Sequence, residues 1–456
     1  MTPHPKLLHL ESVRGLAAAA VVACHVVFAF APPDRGGTPT VAGWESPAGR
    51  GVARLLLHPI GDGRLPVAVF FVLSGVVLSQ GYLRSGGRAD LGAACVRRFV
   101  RLGVPAGAAT VLAWAVWRAG WADVGPAADV LAADGVSARW LRLLGPPDLS
   151  LSAAVGEACW GLYFLHPPSP PHRLFNCALW TMRVELYGSL LVYAFLGVFG
   201  RHPRAARLAG VAAGVAAAGG WVYPALFLAG VWLAFVRHAR PAEGLSPAVG
   251  GGLLAAALWL GGQGEYLIDW WLPVPLVNRT VDSLDLFATP AAVLLVGAVL
   301  FCRPLAAALS ARPLVRLGGI SFGLYLAHMP VLLSAGVWTF AAVRPAAGHG
   351  PAVVAAGAVV FGLSAAGGWV LTVLADRPAA DLGRRLADRL LRDRPAAGRA
   401  SVAGTPVTPV GGTVPADAGD PVPAGARHPL LPGGGRVEGT KHRSGGLRPL
   451  FSWTGL

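Results

Sequence analysis

Charge is what this sequence has least of. Only 13% of its 456 residues are Asp, Glu, Lys or Arg, against about 25% in an ordinary soluble domain. Hydrophobic residues make up 54%, and the mean hydropathy is +0.56. That balance argues against a set of soluble domains and for a chain embedded in a bilayer. Cysteine is scarce, with five residues and no C-x-x-C pair, which argues against a zinc or thioredoxin-type centre. No His/Cys/Asp/Glu group has metal-ligand spacing, so no metal is expected. Acidic residues number 23 against 38 basic ones, a net charge of +15. In a nucleic-acid-binding protein that excess lines one soluble face. Here the arginines fall in short groups between apolar runs, and nucleic acid is not an expected partner. No internal repeat is visible, which counts against an inverted-repeat transporter. The first apolar run lacks a small-residue cleavage site before a soluble domain, so it reads as a retained span.

What is present is a series of apolar segments of membrane-crossing length, roughly 20 residues. Ten lie near 13–31, 66–83, 102–118, 178–200, 206–220, 221–238, 246–262, 286–302, 318–340 and 351–375. Leu149–Leu165 carries Glu157 and is bracketed by prolines, so it reads as a re-entrant or interfacial piece. Loop charges alternate accordingly. Arg84, Arg88, Arg97, Arg98, Arg101, Arg201, Arg204, Arg207, Arg237, Arg240, Arg303, Arg312 and Arg316 fall on one side. Asp123, Asp129, Asp134, Asp148, Glu157, Glu265, Asp269, Asp282 and Asp285 fall on the other. Arginine favours the cytoplasmic face, so both termini are expected in the cytoplasm. The expected fold class is all-α, a polytopic bundle of about ten spans over residues 1–376. A basic amphipathic juxtamembrane segment follows at 377–394, with Leu382, Leu386 and Leu390 on one face, suited to lying on the inner leaflet. Residues 395–456, rich in Pro, Gly, Ala and Thr without hydrophobic period, read as a disordered cytoplasmic tail.

Ionisable residues inside such spans are costly and mark function. Arg14 and His25, eleven residues apart in the first span, share one helix face about 16 Å apart along the axis. Ser74-Gly75 in the second span permits close helix packing, and Ser74 reads as ordinary packing. Arg98 and Arg101, at i and i+3, project together and suit bidentate phosphate contacts. Taken alone, they also read as a plain positive-inside anchor. Glu185 in the fourth span reaches a depth similar to that of His25, which suggests a base and its orienting carboxylate. Arg183, two residues from Glu185, faces elsewhere on the helix. Ser321, Tyr325 and His328 fall at i, i+4 and i+7, a polar stripe on an apolar helix. Cys159 and Cys177 share one proposed outer segment. Two free thiols are expected, with a disulfide as the alternative.

Five elements appear in order: LESVRGLAAAAVVACH at 10–25, FFVLSG at 70–75, RRFVRLGVP at 97–105, LWTMRVE at 179–185 and SFGLYLAHMP at 321–330. In these the chain resembles the bacterial membrane-bound acyltransferases known as the acyltransferase-3 family. The resemblance implies a ten-helix bundle of the inner membrane. It would move an acyl group, commonly acetyl, from cytoplasmic acyl-CoA to a hydroxyl, often on a carbohydrate. It makes His25 the base, with Glu185 catalytic beside it, and gives Arg14, Arg98 and Arg101 to the CoA donor. Trp180, Ser321, Tyr325 and His328 take substrate-binding roles. Acyl-CoA enters as a substrate, with no permanently bound cofactor. Three places differ from the family's usual pattern: Glu11 stands for an aspartate, the run Met182–Tyr187 has lost a second acid, and Phe322 replaces a tyrosine. The reading that competes is a secondary transporter exporting a small amphipathic metabolite, which also needs many spans and buried ionisable groups. A membrane scaffold that recruits partners through its basic tail is a third.

Overall fold

The computed structural model describes residues 7–32, 46, 63–87, 90–146, 148–165, 169–240, 244–262 and 287–392. The acids expected at Glu265, Asp269, Asp282 and Asp285, and the tail 395–456, lie outside the described residues. Among the described residues the secondary structure is helical throughout. The helices are α1 Leu8–Phe30, α2 Arg64–Arg84, α3 Leu91–Arg118, α4 Gly125–Ala133, α5 Arg139–Leu143 and α6 Leu151–Gly156. They continue with α7 Trp180–Phe199, α8 Ala205–Ala218, α9 Val222–Ala239, α10 Pro247–Gly261 and α11 Thr289–Phe301. The last five are α12 Arg303–Leu309, α13 Arg312–Val331, α14 Val337–Ala347, α15 His349–Leu371 and α16 Arg377–Arg392.

Every one of the ten apolar segments is a helix, but they differ in reach. Seven described stretches are long and apolar enough to cross a membrane: Leu8–Phe30, Arg64–Arg84, Leu91–Arg118, Cys177–Phe199, Val222–Ala239, Arg312–Ala347 and His349–Leu390. An eighth is reached only by joining α11 and α12, which bend by 93° at their junction. Arg303-Pro304 opens α12, and a proline there starts a new helix rather than continuing the old one. At 14 and 15 residues, α8 and α10 extend about 21–23 Å, short of the roughly 30 Å hydrocarbon core. Gly219-Gly220 stops α8, and Ser246 with Pro247 starts α10 late. Leu149–Leu165 forms α6, a π turn at Glu157–Gly161 and one further turn, 14 residues from Leu151 to Phe164. That length is also short of a crossing.

Small residues let the long helices touch. Gly15 of α1 meets the backbone of Gly318 in α13, Gly75 of α2 meets Gly230 of α9, and Gly323 of α13 meets Gly368 of α15. A Cβ at any of them would collide with the facing backbone. Close backbone approach of this kind drives helix association in lipid. Two apolar clusters result. One gathers Val21, Val26, Leu131, Leu141, Leu324 and Phe340, and the other Leu10, Val72, Leu196, Phe227, Val231 and Val296. Val67, Phe70 and Trp180 pack against both, so the seam between the clusters runs through α2 and the start of α7.

Contacts between helix ends sort them into two sets. The Arg201 guanidinium donates to the Gly87 carbonyl at 2.8 Å, and Arg101 pairs with Asp376 at 3.1 Å. These ends belong to the arginine-rich side of the sequence reading. Asp134 meets Arg344 and His349, and His349 in turn reaches the Phe30 carbonyl. Those ends belong to the opposite side. Helix α16 continues α15 through the π turn Thr372–Asp376. It packs along α3, with Gly383 against the Arg97 backbone and Val100.

Candidate functional site

A cavity of about 150 Å³ opens along the seam. Its polar wall is Arg14 from α1, Ser74 from α2, Arg98 and Arg101 from α3, Thr181 and Glu185 from α7, and Tyr325 from α13. Arg98 and Glu185 form an ion pair in which both side chains are mostly buried. Arg98 Nε also donates to the Ser189 hydroxyl at 2.9 Å, and the Ser74 hydroxyl donates to Glu185. Arg101 is half exposed and bonds Asp376, so it marks the mouth of the cavity. Arg14 has Arg98, Arg101, Glu185 and Asp376 as charged neighbours. It makes no hydrogen bond or ion pair with another described residue. Three guanidiniums thus face two carboxylates, and the surplus positive charge sits where an anion can reach it.

Tyr325 forms the far wall. Its hydroxyl donates to the Ala178 carbonyl at 2.7 Å and shares a 2.8 Å hydrogen bond with Thr181. Asn176 places this corner: its amide donates to the Leu326 carbonyl, and its oxygen accepts from Ala178 N–H. Behind Tyr325, its ring 5.5 Å away, lies His328, and beyond that His25.

The hydrogen bonds of the two histidines define their tautomers. His328 Nδ1 faces the Tyr325 carbonyl at 2.6 Å. A carbonyl only accepts, so Nδ1 carries the proton and neutral His328 offers a lone pair at Nε2. That nitrogen lies 3.2 Å from His25 Nδ1, which also faces the Val21 carbonyl at 3.0 Å. His25 therefore donates from Nδ1 and keeps its lone pair at Nε2. His25 Nε2 has no partner among the described residues, and the residue is partly exposed. A fixed tautomer with an open nitrogen is the arrangement of a general base.

The sequence expectations fare unevenly. Arg14, Arg98, Arg101, Glu185 and Tyr325 meet at one cavity, and His25 and His328 meet beside it. The expected pairing of His25 with Glu185 is not formed; His328 orients His25, and Glu185 serves Arg98. Matched depth was the warrant for that pair, but depth says nothing about which way a side chain faces around its helix. A buried carboxylate takes the nearest guanidinium to offset its desolvation. Arg98, which also read as a plain anchor at the membrane boundary, instead reaches Glu185 inside the bundle, on a helix that begins at Leu91, well before its apolar run. Ser321 is buried but donates to the Gly318 carbonyl of its own helix. Trp180 packs on Tyr223 with ring centroids 5.9 Å apart. Neither lines the cavity. Ser74, read as packing, is a ligand of Glu185, and Thr181 was missed. Both are hydroxyls inside apolar runs, the one signal that pointed to them. Arg183 turns away over the Tyr187 ring, as its spacing required. Cys159 and Cys177 are free thiols.

The acyltransferase-3 family model, described as an acyltransferase domain, matches residues 8–373. That stretch contains every residue lining the cavity and both histidines. No curated protein and no solved structure matches the chain.

Proposed function

The chain belongs to the acyltransferase-3 family, and on that premise we propose that this membrane acyltransferase takes an acyl group, acetyl by preference, from acyl-CoA. The acceptor is a hydroxyl on a carbohydrate or another surface or secondary metabolite. One observation carries the reading. A cavity with a surplus guanidinium and a histidine with an open base nitrogen stand on either side of one wall, the α13 face bearing Tyr325 and His328. Arg14, and Arg101 at the mouth, suit the phosphates of CoA. His25 Nε2 suits the acceptor proton.

In the reaction the acceptor oxygen attacks the thioester carbonyl as His25 Nε2 takes the hydroxyl proton. The tetrahedral intermediate collapses, the C–S bond breaks, and CoA leaves as a thiolate that takes the proton from His25 Nε2, which restores the base. His25 Nδ1, donating to His328 and Val21, keeps the ring oriented while Nε2 is protonated. The arginine-rich ends face the cytoplasm in this reading, as the positive-inside rule requires. The membrane is the cytoplasmic one, and both termini lie inside.

The test is thiol release from acetyl-CoA by the purified full chain, with an alcohol supplied and no gradient across any membrane. Transfer of a labelled acetyl group to the alcohol supports the reading, and a transporter gives none. Loss of transfer in His25→Ala, with acetyl-CoA binding retained, supports the base assignment. Near-normal turnover in that variant removes it.

A further inference from the structure

Resting on the acyl-transfer reading above, we infer that Trp140 is a specificity-determining residue for the acceptor. With Phe28 it forms the platform against which a ring-shaped polyol is held at His25. Trp140 lies on α5, far in sequence from the family elements, and its ring centroid stands 5.8 Å from His25 and 6.2 Å from Phe28. Trp140, Phe28 and His25 are all partly exposed, so the open nitrogen of His25 borders an accessible aromatic surface.

The indole N–H is the second observation. Trp114 Nε1 donates to the Leu149 carbonyl at 3.0 Å, and Trp117 Nε1 to the Phe175 carbonyl at 3.1 Å. Trp140 Nε1 makes no hydrogen bond among the described residues. A buried or half-buried indole usually finds a partner for that donor. Here it remains available beside the base.

The platform is held in place. Asp134, between α4 and α5, accepts from Arg344 Nε at 2.7 Å and also from Arg344 Nη2. It accepts from His349 Nδ1 at 3.1 Å, and His349 Nε2 donates to the Phe30 carbonyl at 2.8 Å. Phe30 ends the helix that carries His25. One carboxylate therefore ties the segment bearing Trp140 to α14, α15 and the end of α1. Leu141, fully buried, anchors α5 from below.

The chemistry of the ligand follows. A pyranose-like ring has one face of C–H bonds and a rim of hydroxyls. The face packs on indole, and rim oxygens reach the indole N–H and His25 Nε2. A short linear alcohol offers hydroxyls without a face, so it gains little from the platform. Such aromatic anchors concentrate binding energy.

Acetyl-CoA thiol release by the detergent-solubilised full chain is measured with a panel of methyl pyranosides and with glycerol. Wild type should use at least one pyranoside ten-fold or more better than glycerol in kcat/KM. Trp140→Ala should lower that value ten-fold or more, chiefly through KM, and the glycerol value far less, so that the pyranoside-to-glycerol ratio falls while the KM for acetyl-CoA holds. Trp140→Phe, which keeps the face and loses the N–H, should lower the preference about three-fold, the loss of one hydrogen bond, without abolishing it. An unchanged acetyl-CoA KM also shows that the variants are folded; if Trp140→Ala loses it, the Trp140→Phe result decides. Full retention of the pyranoside preference in Trp140→Ala overturns the inference, as does a wild type that favours no pyranoside over glycerol. Absence of thiol release with every alcohol in wild type defeats the acyl-CoA reading itself.

Discussion

Arg14 and Arg98 line the same cavity under different constraints, so their removal should differ in kind. Arg98 neutralises Glu185 in the bundle interior. Arg98→Ala strands that carboxylate, and breaking such a pair costs about 3–5 kcal/mol of stability. Arg14 holds no described partner, so Arg14→Ala should leave the melting temperature nearly unchanged while raising the KM for acyl-CoA. A charge-assisted contact is worth about 1.5–3 kcal/mol, roughly ten-fold or more in KM. Thermal unfolding and a donor titration on both variants check this pairing of effects; a KM unchanged in Arg14→Ala removes Arg14 from the donor site. Combining Arg98→Ala with Glu185→Ala should destabilise less than the two changes summed, because the second removes the stranded charge. His25→Ala should lower turnover by about 10²–10⁴, the usual contribution of a general base. His328→Ala should lower it by less, since His25 Nδ1 still donates to the Val21 carbonyl and the base itself remains.

At the scale of elements, glycine crossings set how near the helices come. Gly323 in α13 faces Gly368 in α15, two residues before Tyr325. Gly323→Ala has no room for its Cβ, and overpacking of this kind costs about 1–3 kcal/mol. The shift of α13 against α15 would displace Tyr325 and His328 together, so thermal stability and turnover should fall in parallel. Gly319→Ala, on the same helix with open space before it, should change neither. The Asp134 latch makes a different prediction. Hydrogen bonding from Arg344 holds the Asp134 carboxyl below its ordinary value of 3.8, against the opposing effect of burial. A depressed carboxylate contributes stability above its unfolded value and loses it as pH falls through the folded one. The contribution is therefore intact at pH 7 and disappears only below about pH 4. Asp134→Asn should melt lower than wild type at pH 7, and the gap should close in acid. A gap that persists unchanged at pH 3 would show that the charge is not what holds the latch.

For the whole molecule the decisive matter is orientation. The arginine-rich helix ends and the Asp134 end form two separate sets, and the positive-inside rule assigns the first to the cytoplasm. In a Cys159→Ser background, Ser137→Cys should react in intact cells with a thiol reagent that cannot cross the membrane. His202→Cys should react only after lysis. The reverse pattern would invert the bundle and place the donor cavity outside, where CoA is not supplied.

The sequence by itself determined the helical class and the position of the apolar segments. Those properties depend on short-range composition: a run of twenty apolar residues is stable in lipid only as a helix, whose backbone satisfies its own hydrogen bonds. It also picked out Arg14, His25, Arg98, Glu185, Tyr325 and His328, because an ionisable or polar group in such a run is conspicuous. Tertiary structure decided which of them meet. His25 found His328, 303 residues away, instead of Glu185. Asp134 found Arg344 across 210 residues and His349 across 215. Asp134, Arg344, His349 and Trp140 were not legible, since each lies at a helix end or in a short helix where polar residues are ordinary. Helical periodicity gives the face a residue occupies on its own helix. Only the packing of one helix on another, set here by glycines such as Gly15, Gly75 and Gly323, decides what that face meets.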